Sequence, residues 1–453
     1  MNKKSISDSL FYDDENYQTN ENLTDWVDEW TFKLANTSTY THKIHRYPAM
    51  FIPQLVRKII KEYTKEGNTI LDIFNGSGST MVQCCLLNRN SIGIELNPLA
   101  NLITKVKTTP VNREDLTKRF EIIKEKFFNK NTKLKLIDFK NVDFWFENPA
   151  KQKISKIISI IDLFKNNDES NFFKVCLSEI IREVSNCKHS GFKLHRDLSK
   201  VGKKISDEEF FDKFNKVFKK NFDAINKFSS TIKNKKFTTQ LIQGSSTKLH
   251  KDIKKNSIDL ILTSPPYGDS QTTVAYGQFS RLSSQFLGLS LDGLENIGSL
   301  DSELLGGKKL KKDLYENLCS RSLTLKNVAE HFVLKINDKE TDKTDKKKLE
   351  QRLNDIMSFY YDLDRSLKNG CEYLKMNKHF ILVTGSRIVK MIKLHTDLII
   401  SELGELYNLK LSAIFYRNIE SKRMPPKVSA TNIVGEHAPT MTKESIIVLK
   451  KSS

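Results

Sequence analysis

Between residues 41 and 110 the apolar positions change period several times. Ile52, Leu55, Ile59 and Ile60 recur at helical spacing; "TILDIF" is then a short unbroken apolar run, "TMVQCCLLN" returns to a helix, and "SIGIEL" is a second run. Spacings of three and four fill one side of a helix, whereas a short continuous run suits a strand covered on both faces. The segment therefore predicts a helix leading into a strand–turn–helix–strand unit. The pattern returns in "FTTQLIQGSSTKLHKDIKKNSIDLILTSPPY", read as two apolar strands joined by a short helix-like segment. Near the C-terminus "FYYDLDRSLKNGCEYLKMNKHFILVTGS" reads helix then strand, followed by a helix ("LHTDLIISELGELY"), a strand ("LKLSAIFYR") and a last strand ("ESIIVLK"). Strands separated by helices predict an α/β core around a largely parallel sheet.

Two stretches interrupt that alternation. Residues 111–240 are rich in Lys, Phe and Asn, and Phe211, Phe214, Phe218 and Phe222 fall on one helix face, which predicts a helical insertion with its own small core. From 291 to 364 the run "KINDKETDKTDKKKLEQRLND" reads as a solvated helix face or mobile loop. Residues 1–40 are polar and acidic with Trp26 and Trp30, an arm docked by its aromatics. The expected division is thus an arm at 1–40, a core built from 41–110, 241–290 and 365–453, a helical insertion at 111–240 and a charged insertion at 291–364.

Composition narrows the class. The 453 residues are 38% hydrophobic and 28% charged, a globular balance, and no apolar run is long enough to cross a bilayer. The opening "MNKKSISDSLFYDDENYQ" has two lysines but no apolar stretch behind them, so it does not read as a secretory signal, and a cytoplasmic location is expected. Lys and Arg number 74 against 55 Asp and Glu, a net charge of +19, and the sequence pI is about 9.4. That excess favours a polyanionic partner such as DNA or RNA over the bland alternative of a lysine-rich proteome. Six cysteines without CxxC spacing indicate neither a zinc site nor a disulfide framework.

Chemistry enters at "LDIFNGSGST". Asp72 ends a strand, Phe74 follows it, Gly76 and Gly78 form the turn, and Ser79 and Thr80 begin the next helix. Glycines let the backbone approach a ligand, and a helix N-terminus offers unpaired N–H groups to an anion. About 20 residues further on, Glu95 ends the next strand, where an acid can accept both hydroxyls of a ribose. The third glycine of a dinucleotide fingerprint is missing, so a nucleoside ligand without pyrophosphate fits better than NAD. S-adenosyl-L-methionine fits, its carboxylate toward the glycine turn and its ribose toward Glu95. An ordinary strand-to-helix turn with a solvated glutamate is the alternative.

Two consecutive prolines after the apolar run "IDLIL", in "LTSPPYGDS", mark a rigid strand end. Together with "DIFNGSGST", "GIELNP" and the preceding "THKIHRYPAMFIPQLVRKII", this "TSPPY" resembles the motif set of the amino-group DNA methyltransferases, especially the cytosine-N4 type. The resemblance covers roughly 40–110, 240–290 and 365–450, and implies a Rossmann-like, S-adenosylmethionine-dependent core. An exocyclic amine on a base is a poor nucleophile. Acceptors on its hydrogens draw the nitrogen toward sp³ and stabilise the charge that develops. The hydroxyl of Ser264 and the carbonyl of Pro265 are two such acceptors, Pro265 and Pro266 bring no competing N–H, and Tyr267 offers a face for an extruded base. With no Pro-Cys pair, attack by a cysteine on the ring finds no support.

The resemblance also places Ser245, in "IQGSS", where the family usually carries an acid that meets the adenine, and it sets Tyr47, Pro48 and Phe51 at the methionine end of the cofactor. Asp269, Ser270, Thr272, Tyr276, Gln278 and Arg281 are candidates to line the base pocket or touch phosphate, and Arg196 is either a DNA contact or a surface ion pair. The order of motifs assigns 111–240 to target recognition, with 291–364 as rival or accessory. The implied partners are duplex DNA with a specific target and a cognate restriction endonuclease. Adenine-N6 methylation, RNA guanine-N2 methylation and a non-catalytic DNA-binding subunit are the rival readings.

Overall fold

A computed structural model describes residues 24–26, 30–33, 35–188, 191–268, 273–291, 297–419, 427–429, 437–439 and 443–453. The first part of the chain gives β1 (Thr24–Trp26), α1 (Pro53–Tyr63), β2 (Thr69–Asp72), α2 (Ser79–Leu86), β3 (Asn90–Glu95) and α3 (Pro98–Thr108). Five helices follow: α4 (Arg113–Phe128), α5 (Val142–Trp145), α6 (Asn148–Ile161), α7 (Asn167–Ile181) and α8 (Asp207–Ile232). Next come β4 (Thr239–Gln243), β5 (Ile258–Thr263), α9 (Tyr276–Phe286), α10 (Leu300–Glu303), α11 (Lys312–Arg321), α12 (Leu323–Asn337) and α13 (Lys343–Tyr373). The chain closes with β6 (Leu374–Thr384), β7 (Arg387–Val389), β8 (Ile392–Leu394), α14 (Thr396–Glu405), β9 (Leu409–Asn418), β10 (Lys427–Ser429), β11 (His437–Pro439) and β12 (Lys443–Lys451).

The central sheet runs β4-β3-β2-β5-β6-β12-β9-β1. Every pairing is parallel except the two made by β12, which lies antiparallel between β6 and β9. Both faces are covered, which explains the unbroken apolar runs. Leu260, Leu262, Ile381, Val383, Ile446 and Val448 pack with α1 on one face, while Ile261, Phe380, Leu382, Ile447 and Leu449 pack with α12–α14 on the other. Each run alternates between two cores at the two-residue period of a strand.

The helical stretch α4–α8 forms as expected, with Phe120 stacked on Phe218 at 3.9 Å between ring centroids. Its core, however, is not separate. Phe172, Phe214 and Phe218 belong to one cluster with Val82 of α2 and Leu99, Ile103 and Val106 of α3, so the insertion grows outward from the sheet's own helical layer.

The largest departure concerns 291–364. The charge run does lie on solvated turns at the end of α12 and the start of α13, but the stretch is more than an appended loop: Leu325, Val328, Phe332, Leu349, Leu353 and Ile356 are buried against the sheet and supply much of its second helical layer. The expected boundary at 364/365 falls inside α13, one continuous helix. Its charges crowd the first turns, while Leu349, Leu353, Ile356, Tyr360, Leu363 and Leu367 keep helical spacing along the buried side. The link from β4 to β5 consists of turns, not a helix; the Ser245 hydroxyl accepts from the Thr247 N–H, and the ring of His250 bonds to the Ser245 carbonyl. Such local side-chain bonds compete with helical ones.

Trp30 is buried, stacks on Phe415 at 5.3 Å and carries the ammonium of Lys58 over its ring. The side chain of Trp26 lies outside the described residues, although its backbone pairs with β9. Cys84, Cys85, Cys176, Cys187 and Cys371 are buried and all six cysteines are free. Among the described residues no helix is long and apolar enough to cross a membrane.

Candidate active site

Parallel strands all deliver their C-terminal ends to one edge, and ligands of open α/β sheets bind there. In this chain the ends of β2, β3, β4 and β5 surround one cleft, walled also by Tyr47–Phe51 and roofed by Glu303–Leu305. The glycine turn, Glu95, Ser245 and Ser264 all face it. Residues 47–51, 72–79, 94–96, 244–246, Ser264, Pro266, Tyr276 and 303–305 thus meet in space, although they lie far apart along the chain.

Asp72 lines the cleft at the end of β2. Its Oδ1 accepts the Thr263 hydroxyl at 2.7 Å and the Phe74 N–H at 3.1 Å, tying β2 to β5. Burial raises its pKa to about 6, against the lowering effect of Thr80, Thr263 and the Phe74 amide. Of the turn residues, Phe74, Asn75, Gly76, Ser77 and Ser79 line the cleft, whereas Gly78 and Thr80 do not.

Gly76 and Gly78 serve different needs. Gly76, with φ of +51°, donates its N–H to Glu95 Oε2 at 2.8 Å. Gly78, with φ of +82°, caps α2, and a Cβ there would lie 2.6 Å from Thr104 Cγ2. The first glycine presents backbone to the cleft, and the second permits α3 to pack behind the turn. Glu95 is held on its other oxygen by the Asn97 N–H at 2.7 Å. Burial raises its pKa to about 7 in spite of these two amide donors. The amide bonds aim the carboxylate and leave further lone pairs to accept hydroxyls.

Tyr47 closes one wall of the cleft. Its hydroxyl accepts from Asn97 Nδ2 at 3.0 Å, and its ring lies against Tyr276 and edge-on to Phe279. Asn97 also donates to Ser280 Oγ at 2.6 Å while its Oδ1 caps α3 through the Leu99 N–H. Asn97 and Ser280 were not singled out from the sequence. "ELNP" signals only an N-cap before a proline, and nothing in the pattern brings Ser280 beside it. The roof at Glu303–Leu305 was likewise hidden, because it comes from a stretch whose composition suggested an accessory loop.

In "SPPY", Ser264 and Pro266 line the cleft and Pro265 is buried. The Ser264 hydroxyl donates to the Val383 carbonyl of β6 at 2.9 Å. With its proton spent on the sheet, the oxygen keeps lone pairs for an incoming N–H donor. Tyr267 donates its hydroxyl to Glu444 Oε1 at 2.8 Å. Ser245 shares a hydrogen bond with Thr247 at 2.9 Å and remains on the cleft wall.

Other candidates fall elsewhere. Tyr276 lines the cleft; the Gln278 side chain accepts from the Leu194 N–H, and Arg281 donates to the Gly298 carbonyl. Arg196 lies over the Phe144 ring at 4.2 Å. Asp269, Ser270 and Thr272 lie outside the described residues. No group of three or more His, Cys, Asp or Glu is placed to hold a metal ion among the described residues.

A mostly parallel sheet with one reversed strand, a glycine turn after its first core strand and an acid after its second define a Rossmann-like S-adenosylmethionine-dependent methyltransferase. The cleft suits that cofactor: its buried carboxylates, Asp72 and Glu95, match a cationic ligand rich in hydroxyls, and Tyr47, Phe51 and Phe74 offer apolar walls.

Residues 1–105 match the family model described as a DNA methylase. The chain is 35% identical over 438 residues to the type II methyltransferase M.MvaI of Kocuria varians, covering 92% of this chain and 93% of that protein. It is 34% identical over 153 residues to M.MjaII of Methanocaldococcus jannaschii, covering 29% and 28%. It is 24% identical over 316 residues to M.BsoBI of Geobacillus stearothermophilus, covering 63% and 60%. The chain belongs to the type II DNA methyltransferases, the modification enzymes of restriction–modification systems, and its cofactor is S-adenosyl-L-methionine.

Proposed function

We propose that this enzyme methylates the exocyclic N4 amine of cytosine within a specific duplex DNA sequence, after flipping the nucleotide out of the helix. The observation that carries the reading is the Ser264 hydroxyl bonded to the Val383 carbonyl at the mouth of the cleft, an oriented acceptor on a rigid strand end. Ser264 Oγ and the Pro265 carbonyl accept the two amino hydrogens, aim the nitrogen lone pair and stabilise its developing positive charge. Tyr267 stacks on the extruded base, a contact worth roughly 1–3 kcal/mol. The cofactor supplies an electrophilic methyl group on sulfur. Asp72, Phe74, Gly76, Glu95, Ser245 and Tyr47 would hold it, with Gly78 and Thr80 shaping the turn beneath. No cysteine nucleophile takes part, so the transfer is direct.

Target recognition is assigned to the α4–α8 helices. The cytoplasm is the expected location, and a cognate endonuclease the expected genetic partner. The serine of "SPPY" favours cytosine over adenine-N6. Nucleoside mass spectrometry of DNA from cells expressing the protein decides between them, since N4-methylcytosine is expected and N6-methyladenine overturns the choice of base. Ser264→Ala and Tyr267→Ala are expected to abolish tritium transfer while leaving cofactor affinity unchanged. A wild-type rate in either would reject the assigned roles.

A further inference from the structure

Tyr267 is the end of a buried chain of contacts that the transfer chemistry above does not use. Its hydroxyl donates to Glu444 Oε1 at 2.8 Å. Glu444 lies at the start of β12, opposite Arg417 of β9 in the antiparallel register. Arg417 is only 2% exposed, and its Nε and Nη2 donate to Glu444 Oε2 at 2.8 and 2.6 Å. The remaining nitrogen, Nη1, donates to the Trp30 carbonyl at 3.2 Å. The guanidinium thus occupies one oxygen of the glutamate, and the tyrosine takes the other.

We propose that Glu444 is a positioning residue for Tyr267: held by Arg417, it fixes the plane of the tyrosine ring before the base arrives. The inference rests on the reading of Tyr267 as the platform for the extruded base. A tyrosine anchored only through Cβ can turn about two side-chain bonds, and ordering it at the moment of base extrusion is unfavourable. Anchoring at the far end of the ring removes that freedom in advance. The anchor is stiff because Glu444 sits on a strand paired on both sides, and because its charge is balanced in place by Arg417. Burial and the neighbouring Glu444 carboxylate raise the tyrosine pKa well above its ordinary value, which keeps the hydroxyl protonated and donating. The N-terminal segment reaches the same network. Trp30 is packed on Phe415 of β9 and its carbonyl completes the shell of Arg417, so docking of that segment supports the same anchor.

The test is a mutant cycle on the full chain, read by tritium transfer to unmodified bulk DNA and by calorimetric cofactor binding. Tyr267→Phe removes only the hydroxyl. Replacing the pair together, Arg417→Leu with Glu444→Leu, removes the acceptor without leaving a buried charge unpaired. Each change is expected to lower kcat roughly 10- to 100-fold, the scale of a small misplacement, with cofactor affinity and KM for DNA little changed. Adding Tyr267→Phe to the pair replacement should cost nothing more, because both remove the same bond. Effects that multiply, or a kcat for Tyr267→Phe within twofold of wild type, would overturn the inference. Tyr267→Ala separates the two levels: an unaffected rate there rejects the platform itself, whereas a dead Tyr267→Ala beside a fully active Tyr267→Phe rejects only the role of Glu444. If the pair replacement does not fold, the rate of Tyr267→Phe alone decides.

Discussion

Replacing Gly78 with alanine tests how the glycine turn is built. Two costs can be read from the geometry. The first is the backbone: at φ of +82° a residue with a Cβ loses about 1–2 kcal/mol relative to glycine. The second is a collision, because the new Cβ would lie 2.6 Å from Thr104 Cγ2 and 2.7 Å from Thr104 Oγ1. Thr104 has little freedom to yield. It is β-branched and fully buried, accepts from Asn75 Nδ2 at 3.1 Å and donates to the Gly76 carbonyl at 3.2 Å. Overpacking of this kind costs about 1–3 kcal/mol. Gly78→Ala should therefore lose about 2–5 kcal/mol of stability in equilibrium urea unfolding. That is a large part of the roughly 5–15 kcal/mol that holds a typical domain folded. Thr104→Ala separates the two costs, since a cycle should return a favourable coupling of about 1–3 kcal/mol, the collision alone. Because the turn also sets the Gly76 N–H against Glu95, cofactor affinity should fall in the single variant and recover partly in the double. A loss below about 1 kcal/mol, or strictly additive effects, would refute the reasoning.

Three further outcomes are expected. Glu95 has its pKa raised from 4.5 to about 7 by burial, so the folded protein holds a proton that the unfolded chain has lost in that window. Its contribution to stability accordingly declines as pH rises from about 4.5 to 7, whereas its ability to accept ribose hydroxyls grows; Glu95→Gln should flatten both the urea profile and the pH dependence of cofactor affinity. Lys107 is completely buried with Ser77 Oγ as its hydrogen-bond partner at 3.3 Å, and burial lowers its pKa from 10.5 to about 7. The unfolded chain then binds the extra proton, stability rises with pH from about 7 to 10.5, and Lys107→Met should abolish that rise in unfolding titrations. Phe218→Ala, deleting a ring stacked on Phe120 at 3.9 Å, should cost about 3–5 kcal/mol in the same assay, and a change under 1 kcal/mol would deny the α4–α8 helices a packed core.

The sequence by itself determined the alternation of strands and helices, the glycine turn and the rigid strand end at "SPPY". These are local properties: period, turn chemistry and the fixed φ of proline act within a few residues. The central strand runs were readable because both sheet faces are covered there, so β5 and the second half of β6 are buried along their length. What composition obscured was the stretch 291–364. Its charge run suggested a solvated element, yet α13 continues past it with an apolar stripe every three or four residues, and the stripe, not the charge, decided its place against the sheet. Likewise the α4–α8 helices were legible as helices, but not as a continuation of the cluster around α2 and α3.

The candidate site divides the same way. Gly76, Glu95, Ser245, Ser264 and Tyr47 stand on the cleft wall, whereas Gly78 and Thr80, drawn from the same motif, support it from behind. A motif gives spacing along the chain but not which side of a turn each side chain takes. Asn97 with Ser280, the roof at Glu303–Leu305, and the Tyr267–Glu444–Arg417 chain depend on contacts between residues far apart in sequence. Such contacts exist only once the sheet has fixed strand order and register, because β12 must lie between β6 and β9 before Glu444 can face both Arg417 and the tyrosine. Local chemistry was written in the chain, and the partners that orient it were chosen by the fold.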